Sequence, residues 1–214
     1  MKLRRIISML LIVALSTVTL ASCGEKLGTG WADYGASRST EGRDISYVEM
    51  CVEDYGKLII LLDATTAPIT VANFLKLVKE GFYDGLTFHR IYAGFMIQGG
   101  CPKGNGSGNS GKFITGEFAA NPNFDGDNDI SHKRGVISMA RSTPYDSASS
   151  QFFIMHADNS GLDGLYAAFG RVVRGMDVID TLATVETTYN YRGEKSVPLN
   201  PPVIQRVELI DYKD

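Results

Sequence analysis

Along the 214-residue chain the spacing of apolar positions changes period several times, and each change marks an element. From Ile45, "ISYVEMCVED" and "KLIILLD" are short apolar or alternating runs joined at Tyr55 and Gly56, the pattern of a β-hairpin. "APITVANFLKLVKEG" then places Val71, Phe74, Leu75 and Val78 at helical spacing, with Pro68 suited to a first turn and Gly81 to a stop, and predicts one amphipathic helix. Between Tyr83 and Phe169 the runs shorten to "LTFHRI", "FMIQGG", "GVISMA", "SQFFIMH" and "YAAFGRVV", separated by glycine-rich or polar loops. "GMDVIDTLATV" restores a helical period through Met176, Ile179, Leu182 and Ala183, and "PPVIQRVELIDY" alternates as a closing strand does. Two helices in a mainly β chain, the second just before the last strand, predict a closed antiparallel β-barrel with the helices over its open ends.

The N-terminus follows a different pattern. Lys2, Arg4 and Arg5 precede "IISMLLIVALSTVTL", a charged segment followed by an apolar one, which reads as an export signal. The run closes on "LASC", Leu20 to Cys23, which resembles the bacterial lipobox, whose cysteine is lipidated and becomes the new N-terminus. An ordinary cleaved signal or an uncleaved anchor is the alternative, since the run approaches the ~18-residue spanning threshold. Each version carries the rest of the chain out of the cytoplasm. The expected division is residues 1–22 as lipoprotein signal peptide, 23–44 as a flexible tether from Cys23, and 45–214 as the folded domain. A polar tether of about 20 residues spans roughly 25 Å root-mean-square, enough to hold a domain clear of lipid head groups.

Charge and cysteine content sharpen this picture. Without Lys2, Arg4 and Arg5 the 21 Lys and Arg fall to 18 against 24 Asp and Glu, an acidic body with no footprint for nucleic acid. With Cys23 assigned to the lipid, Cys51 and Cys101 remain in a compartment where disulfides form; they either pair or stay as two buried thiols.

Three motifs fall short. "GSGNSGKF" starts as a phosphate-binding loop but has Phe113 where a hydroxyl would hold magnesium. "DGDND" has the alternating carboxylates of a calcium loop, but Ile130 and Val136 stand where Gly and a bidentate Glu are needed, so it reads as a solvated turn. His89, His132 and His156 lack metal-site spacing, and no serine sits in a GxSxG elbow. No cofactor or metal is expected.

The stretch "FHRIYAGFMIQGG" sets Arg90 and Gln98 into an apolar, glycine-rich run with no acid. Arginine stays protonated and cannot act as a base, but it donates several hydrogen bonds in a planar fork; glutamine orients an amide through donor and acceptor together. Beside Phe95, Met96 and Phe153, such a pair suits a neutral substrate with amide groups and a compact apolar ring, as in a prolyl peptide bond. As the C–N bond twists, the prolyl nitrogen regains a lone pair, and an arginine donor aimed at it bonds the twisted state far better than the planar one. The competing reading pairs Arg90 with a carboxylate at the barrel rim.

"FHRIYAGFMIQGG", "GVISMA", "SQFFI" and "LDGLYAAFGRV" resemble, in order, the signature blocks of the cyclophilin family of peptidyl-prolyl isomerases, over about Tyr47 to Leu209. The resemblance implies an eight-stranded barrel capped by two helices, and an outer groove for Xaa-Pro segments. It assigns Arg90 as the catalytic arginine, Phe95, Met96, Phe153 and Leu162 to the proline pocket, and Gln98 to the substrate backbone. Gln151 matches the glutamine preceding the pocket phenylalanine, Ala140 opens the segment whose main chain meets the residue before proline, and Gly106 lies in the glycine-rich loop at the groove edge. His89 is expected to be a hydrogen-bonding partner within the barrel, since no proton moves in this mechanism.

Three positions depart from the pattern of eukaryotic members: Arg141 replaces the usual asparagine, Gly161 a tryptophan and Tyr166 a histidine. Arg141 and Tyr166 are still expected to touch substrate. The loss of the indole implies weak cyclosporin binding. The expected protein is therefore a monomeric isomerase anchored to the bacterial cell membrane by its N-terminal lipid alone, outside the cytoplasm. It would act on proline-containing peptides and unfolded exported proteins; a module that binds proline segments with little turnover is the alternative.

Overall fold

The computed structural model describes residues 40–213; the expected signal peptide, Cys23 and all but the end of the tether lie outside them. β1 (Ile45–Val52) and β2 (Gly56–Asp63) form the predicted hairpin, in register from Ile45 opposite Asp63 to Val52 opposite Gly56. After α1 (Pro68–Lys79) come β3 (Arg90–Tyr92), β4 (Met96–Gly99), β5 (Val136–Met139) and β6 (Phe152–Met155), then a single 3-10 turn, Ser160–Leu162. The chain continues through β7 (Ala168–Arg174), α2 (Met176–Leu182), β8 (Thr187–Tyr189), β9 (Lys195–Pro198) and β10 (Ile204–Ile210).

Eight of these strands form one strongly curled antiparallel sheet in the order β10-β1-β2-β7-β5-β6-β4-β3. Its edges meet without a full ladder. Thr87 bridges Val203, and the N–H groups of Gly85, Phe88 and Ile204 donate to the carbonyls of Ile204, Pro202 and Leu86. The mainly β fold with two helices agrees with the expectation. One element was not foreseen: β8 and β9 form a separate hairpin between α2 and the last strand, so α2 does not lead directly into β10. Its sequence, "TTYNYRGEKSVP", shows no sustained apolar alternation.

α1 begins at Pro68 with Ala67 as N-cap, which has no side-chain acceptor for the orphan amides. The wholly buried Glu117 supplies one from a distant loop: its carboxylate accepts from the N–H groups of Ile69 at 3.0 Å and Thr70 at 2.7 Å. At the other end Gly81 takes a φ of +65° and the N–H of Phe82 bonds the Leu77 carbonyl, closing the helix. The buried stripe is Thr70, Val71, Phe74, Leu77 and Val78. Leu75, expected within it, is only half-buried, and Leu77 takes that role.

Strands β4 to β6 are packed on both faces, whereas β3 buries only Ile91. Ile91, Ile97, Ile137, Met139, Phe152 and Ile154 point into the barrel with Phe74, whose ring meets those of Tyr83, Phe152 and Phe169 at centroid distances of 4.9, 5.7 and 5.3 Å. The alternate residues Met96, Val136, Phe153 and Met155 form a second, outer cluster with Ala168, against which Phe95, Leu162 and Tyr166 pack.

Behind that outer cluster lies a buried polar chain. His132 Nδ1 is 2.9 Å from Asp163 Oδ1 and its Nε2 is 3.0 Å from the Ser138 hydroxyl, while the ring stacks on Phe153. The order resembles a catalytic relay, but Ser138 is 0% exposed, so no substrate reaches its hydroxyl. The chain instead ties the loop before β5 to the 3-10 turn that carries Leu162.

Burial holds the His132 pKa below its usual value, although the Asp163 hydrogen bond and charge pull it back up; burial also lowers that of His89, reinforced by the charge of Arg90. Both rings therefore take up protons more readily in the unfolded chain, and stability falls as pH drops through about 6.5, the unperturbed value. Urea unfolding at pH 7.5, 6.5 and 5.5 should show a progressively lower unfolding free energy, by at most about 1.4 kcal/mol per pH unit for each histidine. A stability constant across this range would contradict the assignment.

Candidate active site

The cross-strand registers bring the residues of interest together. Arg90 on β3 lies opposite Gln98 on β4, Gln98 lies opposite Phe153 on β6, and Phe153 lies opposite Ser138 on β5. Facing partners in an antiparallel ladder project from the same side. Met96, two residues before Gln98, shares that outer face, whereas Ile97 between them points inward. The period-2 alternation of "RIYAGFMIQ" thus turns a linear motif into a row of side chains on the outside of the barrel.

A groove runs over this row. Met96 and Phe153 form its floor with Phe95, Leu162 and Tyr166, the glycine-rich loop 104–107 borders one part, and the β8–β9 hairpin borders another. Tyr166 meets Phe153 edge-on at 5.7 Å. A smaller recess opens between the 106–109 loop and Ala140, Arg141 and Ser142.

Polar groups cross the groove in one connected line. Arg90 NH1 donates to Gln98 Oε1 at 3.3 Å; Gln98 Nε2 donates to Gln151 Oε1 at 2.9 Å; Gln151 Nε2 donates to the carbonyls of Gly106 at 2.9 Å and Gly108 at 2.7 Å. Gln151 is therefore the link between the row on the sheet and the glycine-rich loop. Gly106 has a φ of +81°, and a Cβ there would lie 3.5 Å from His89 Nε2.

The carboxylate expected as the alternative partner of Arg90 is present. Glu194, at the end of the turn between β8 and β9, accepts from Arg90 Nε and NH2, each at 2.7 Å. This bidentate bond is the main cause holding the Glu194 carboxyl below its usual range. Sequence analysis did not single out Glu194, and no local signal could have done so with the partners 104 positions apart.

The three departures also find their places. The Arg141 guanidinium lies 4.8 Å from the Tyr166 ring, 5.0 Å from Phe118 and 5.3 Å from Tyr145, while its Nε donates to the Leu165 carbonyl at 2.9 Å. It serves as the support of Tyr166. Gly161 sits exposed in the 3-10 turn, its N–H held by Asn159 Oδ1 at 3.0 Å. The Ala140 N–H donates to the Gln151 carbonyl at 2.9 Å, which leaves the contact there to the Ala140 carbonyl and the main chain after it.

Other expectations change. His89 is buried beneath the groove, its ring close to the Thr87 main chain and the Gln151 side chain, both of which pull its pKa upward against burial, though neither ring nitrogen makes a hydrogen bond of full geometry. Cys101 is a free, buried thiol and is not joined to Cys51. Its sulfur accepts from the Gly108 N–H at 3.2 Å; burial pushes its pKa up, but the amides of Asn105, Gly108, Lys103 and Gly106 outweigh it and the net shift is downward. "GSGNSGKF" is irregular loop, and the "DGDND" turn is pinned, not simply solvated, by Asn128 Nδ2, which donates to the carbonyls of Glu117 and Ala168 at 2.8 Å.

Comparison with known proteins places this geometry. Residues 47–209 match the family described as cyclophilin type peptidyl-prolyl cis-trans isomerase/CLD. The chain is 43% identical over 162 residues to peptidyl-prolyl cis-trans isomerase A of Dickeya dadantii, covering 72% of this chain and 80% of that one. It is 41% identical over 143 residues to peptidyl-prolyl cis-trans isomerase B of Bacillus subtilis, covering 67% and 94%. Among solved structures, a cyclophilin type isomerase of Cryptosporidium parvum, crystallised in the presence of the dipeptide Ala-Pro, superposes with a TM-score of 0.66 at 27% identity, covering 78% of this chain and 99% of that one. A curled eight-stranded sheet with an arginine and a glutamine facing each other over an apolar outer floor, and sequence identity along nearly its whole described length, make this chain a member of the cyclophilin-type peptidyl-prolyl cis-trans isomerases.

Proposed function

We propose that this isomerase is held outside the cytoplasm by a lipid on Cys23 and acts on Xaa-Pro bonds of exported proteins while they fold. The sequence pattern at residues 1–23 supports the location, and the uncatalysed exchange of Xaa-Pro bonds, which takes tens to hundreds of seconds, supplies the need. Proline-containing segments are the substrate class, in keeping with the Ala-Pro dipeptide used with the Cryptosporidium parvum relative.

In this reading the proline ring sits on Phe95, Met96, Phe153 and Leu162, with Tyr166 closing the wall. Gln98 holds the substrate backbone, Gln151 and Gly106 keep the groove edge in place, and the main chain at Ala140 and Arg141 meets the residue before proline. Arg90 is the catalytic residue. The observation that carries the assignment is its position: a side chain 32% exposed, with NH1 beside Met96 and Gln98, so that one donor edge faces the groove above the apolar floor. The planar amide offers that donor only a delocalised nitrogen, whereas the twisted state offers a lone pair, so the bond forms as the barrier of about 18–20 kcal/mol is approached. No proton leaves the substrate, and no base is required.

Comparing residues 24–214 with the Arg90→Ala variant on short Xaa-Pro peptides tests the assignment. Loss of one donor directed at the transition state should lower kcat/KM by roughly 100- to 1000-fold while peptide binding persists; equal rates in the two proteins would remove Arg90 from the mechanism. Mass spectrometry of the protein recovered from membranes should find a diacylglyceryl group on Cys23 as the first residue, and a free N-terminus elsewhere would disprove the anchor. Cyclosporin should bind weakly, because Gly161 offers neither an apolar wall nor an indole donor; a submicromolar Kd would contradict this.

A further inference from the structure

We propose that Glu194 is a positioning residue for the isomerisation, and that the β8–β9 hairpin delivers it to Arg90. The inference rests on the reading of Arg90 as the catalytic group.

An arginine has five N–H donors and about 2 kcal/mol of side-chain rotamer entropy. Left alone over a groove, the Arg90 guanidinium could rotate about its long stem and present any of those donors to substrate. Among the described residues its other contacts in the groove are weak: 3.3 Å to Gln98, 3.7 Å to the Met96 sulfur and 5.9 Å to the centroid of Phe95. The two bonds to Glu194 are of a different kind. Both measure 2.7 Å, both are charge-assisted, and they engage Nε and NH2 together, which fixes the plane as well as the position of the guanidinium. With that edge engaged, NH1 is the edge directed along Met96 and Gln98 toward the floor of the groove.

The hairpin is built to hold the carboxylate still. β9 lies against β3, the strand that carries Arg90, so both partners are mounted on packed backbone. Between β8 and β9, Asn190 Oδ1 accepts from the N–H groups of Arg192 at 2.9 Å and Glu194 at 3.0 Å, and the Asn190 N–H donates to the Glu194 carbonyl at 2.8 Å. Gly193 supplies the φ of +76° that the turn requires. Glu194 itself is 24% exposed, which keeps the pair partly out of water. A surface ion pair of two free side chains would have neither the bidentate geometry nor this backbone support.

Since the pair acts on the group that meets the transition state, its loss should appear in kcat and leave KM nearly unchanged. Glu194→Ala should lower kcat about tenfold with KM within about twofold, the scale expected when a catalytic group is misplaced but not removed. Glu194→Gln keeps one acceptor oxygen and should fall between Glu194→Ala and wild type. The double variant Arg90→Ala/Glu194→Ala should be no slower than Arg90→Ala alone, because Glu194 has nothing left to position. Circular dichroism and urea unfolding of each variant establish that rates are compared between folded proteins.

Wild-type kcat in Glu194→Ala, with Arg90→Ala collapsed, would overturn the inference and leave the reading of Arg90 standing. Faster turnover in Glu194→Ala would overturn it in the opposite sense, as a carboxylate that draws the guanidinium away from substrate. Additive losses in the double variant would show that Glu194 acts through something other than Arg90. Undiminished turnover in Arg90→Ala would instead overturn the underlying reading.

Discussion

The structure depends on one constraint: strands β4 to β6 bury both of their faces, and β3 pairs with them in register. A strand has only two faces, and alternation assigns each residue to one of them. The inward set closes around Phe74 and forms the barrel core, and the outward set builds the groove floor. A slip of one residue of β3 against β4, which β6 holds in place, would turn Arg90 into the barrel and Ile91 out to solvent, and the burial of a charge opposes it. The same hydrophobic energy that sets the fold therefore fixes the register of the site. No separate device is needed to aim the arginine outward.

Burying apolar residues on the outside leaves the polar groups among them short of water, which favours bonds between those groups within the protein. This explains the connected line from Glu194 through Arg90, Gln98 and Gln151 to the glycine-rich loop, and the separate chain from Asp163 through His132 to Ser138. The two chains lie on the same side of the sheet and brace the groove floor from its edges and from behind. Their donors and acceptors are directional, which the apolar contacts are not. They set where the loop 104–108, the 3-10 turn and the hairpin sit relative to the sheet.

What could be read from the sequence follows the same division. The β1–β2 hairpin, α1 and the outward row of Arg90, Gln98 and Phe153 all come from local periodicity or from short motifs, and periodicity is what a linear string records. Glu117 capping α1, Asp163 bonding His132 and Glu194 bonding Arg90 join residues far apart in the chain, each through one or two directional bonds that leave no trace in the spacing of neighbouring residues. The β8–β9 hairpin was missed because it packs on one side only and its tip residues, Tyr189 and Tyr191, are exposed. Leu75 and Leu77 both fall near the apolar arc of the helix, and periodicity alone does not tell which of them is the more deeply buried.

The departures at Gly161, Tyr166 and Arg141 are best understood together. Glycine at 161 removes the side chain that would otherwise wall that end of the groove, and the floor residues Phe153 and Leu162 would then lie open to solvent. Tyr166 covers Phe153 edge-on, and a tyrosine at that place needs its own support, because the strand after it, β7, begins only at Ala168. Arg141 provides the support by lying across the rings of Tyr166, Phe118 and Tyr145 and donating to the Leu165 carbonyl. Arg141 and Tyr166 therefore act as one packing unit, which places an aromatic wall of the groove on the segment leading into β7.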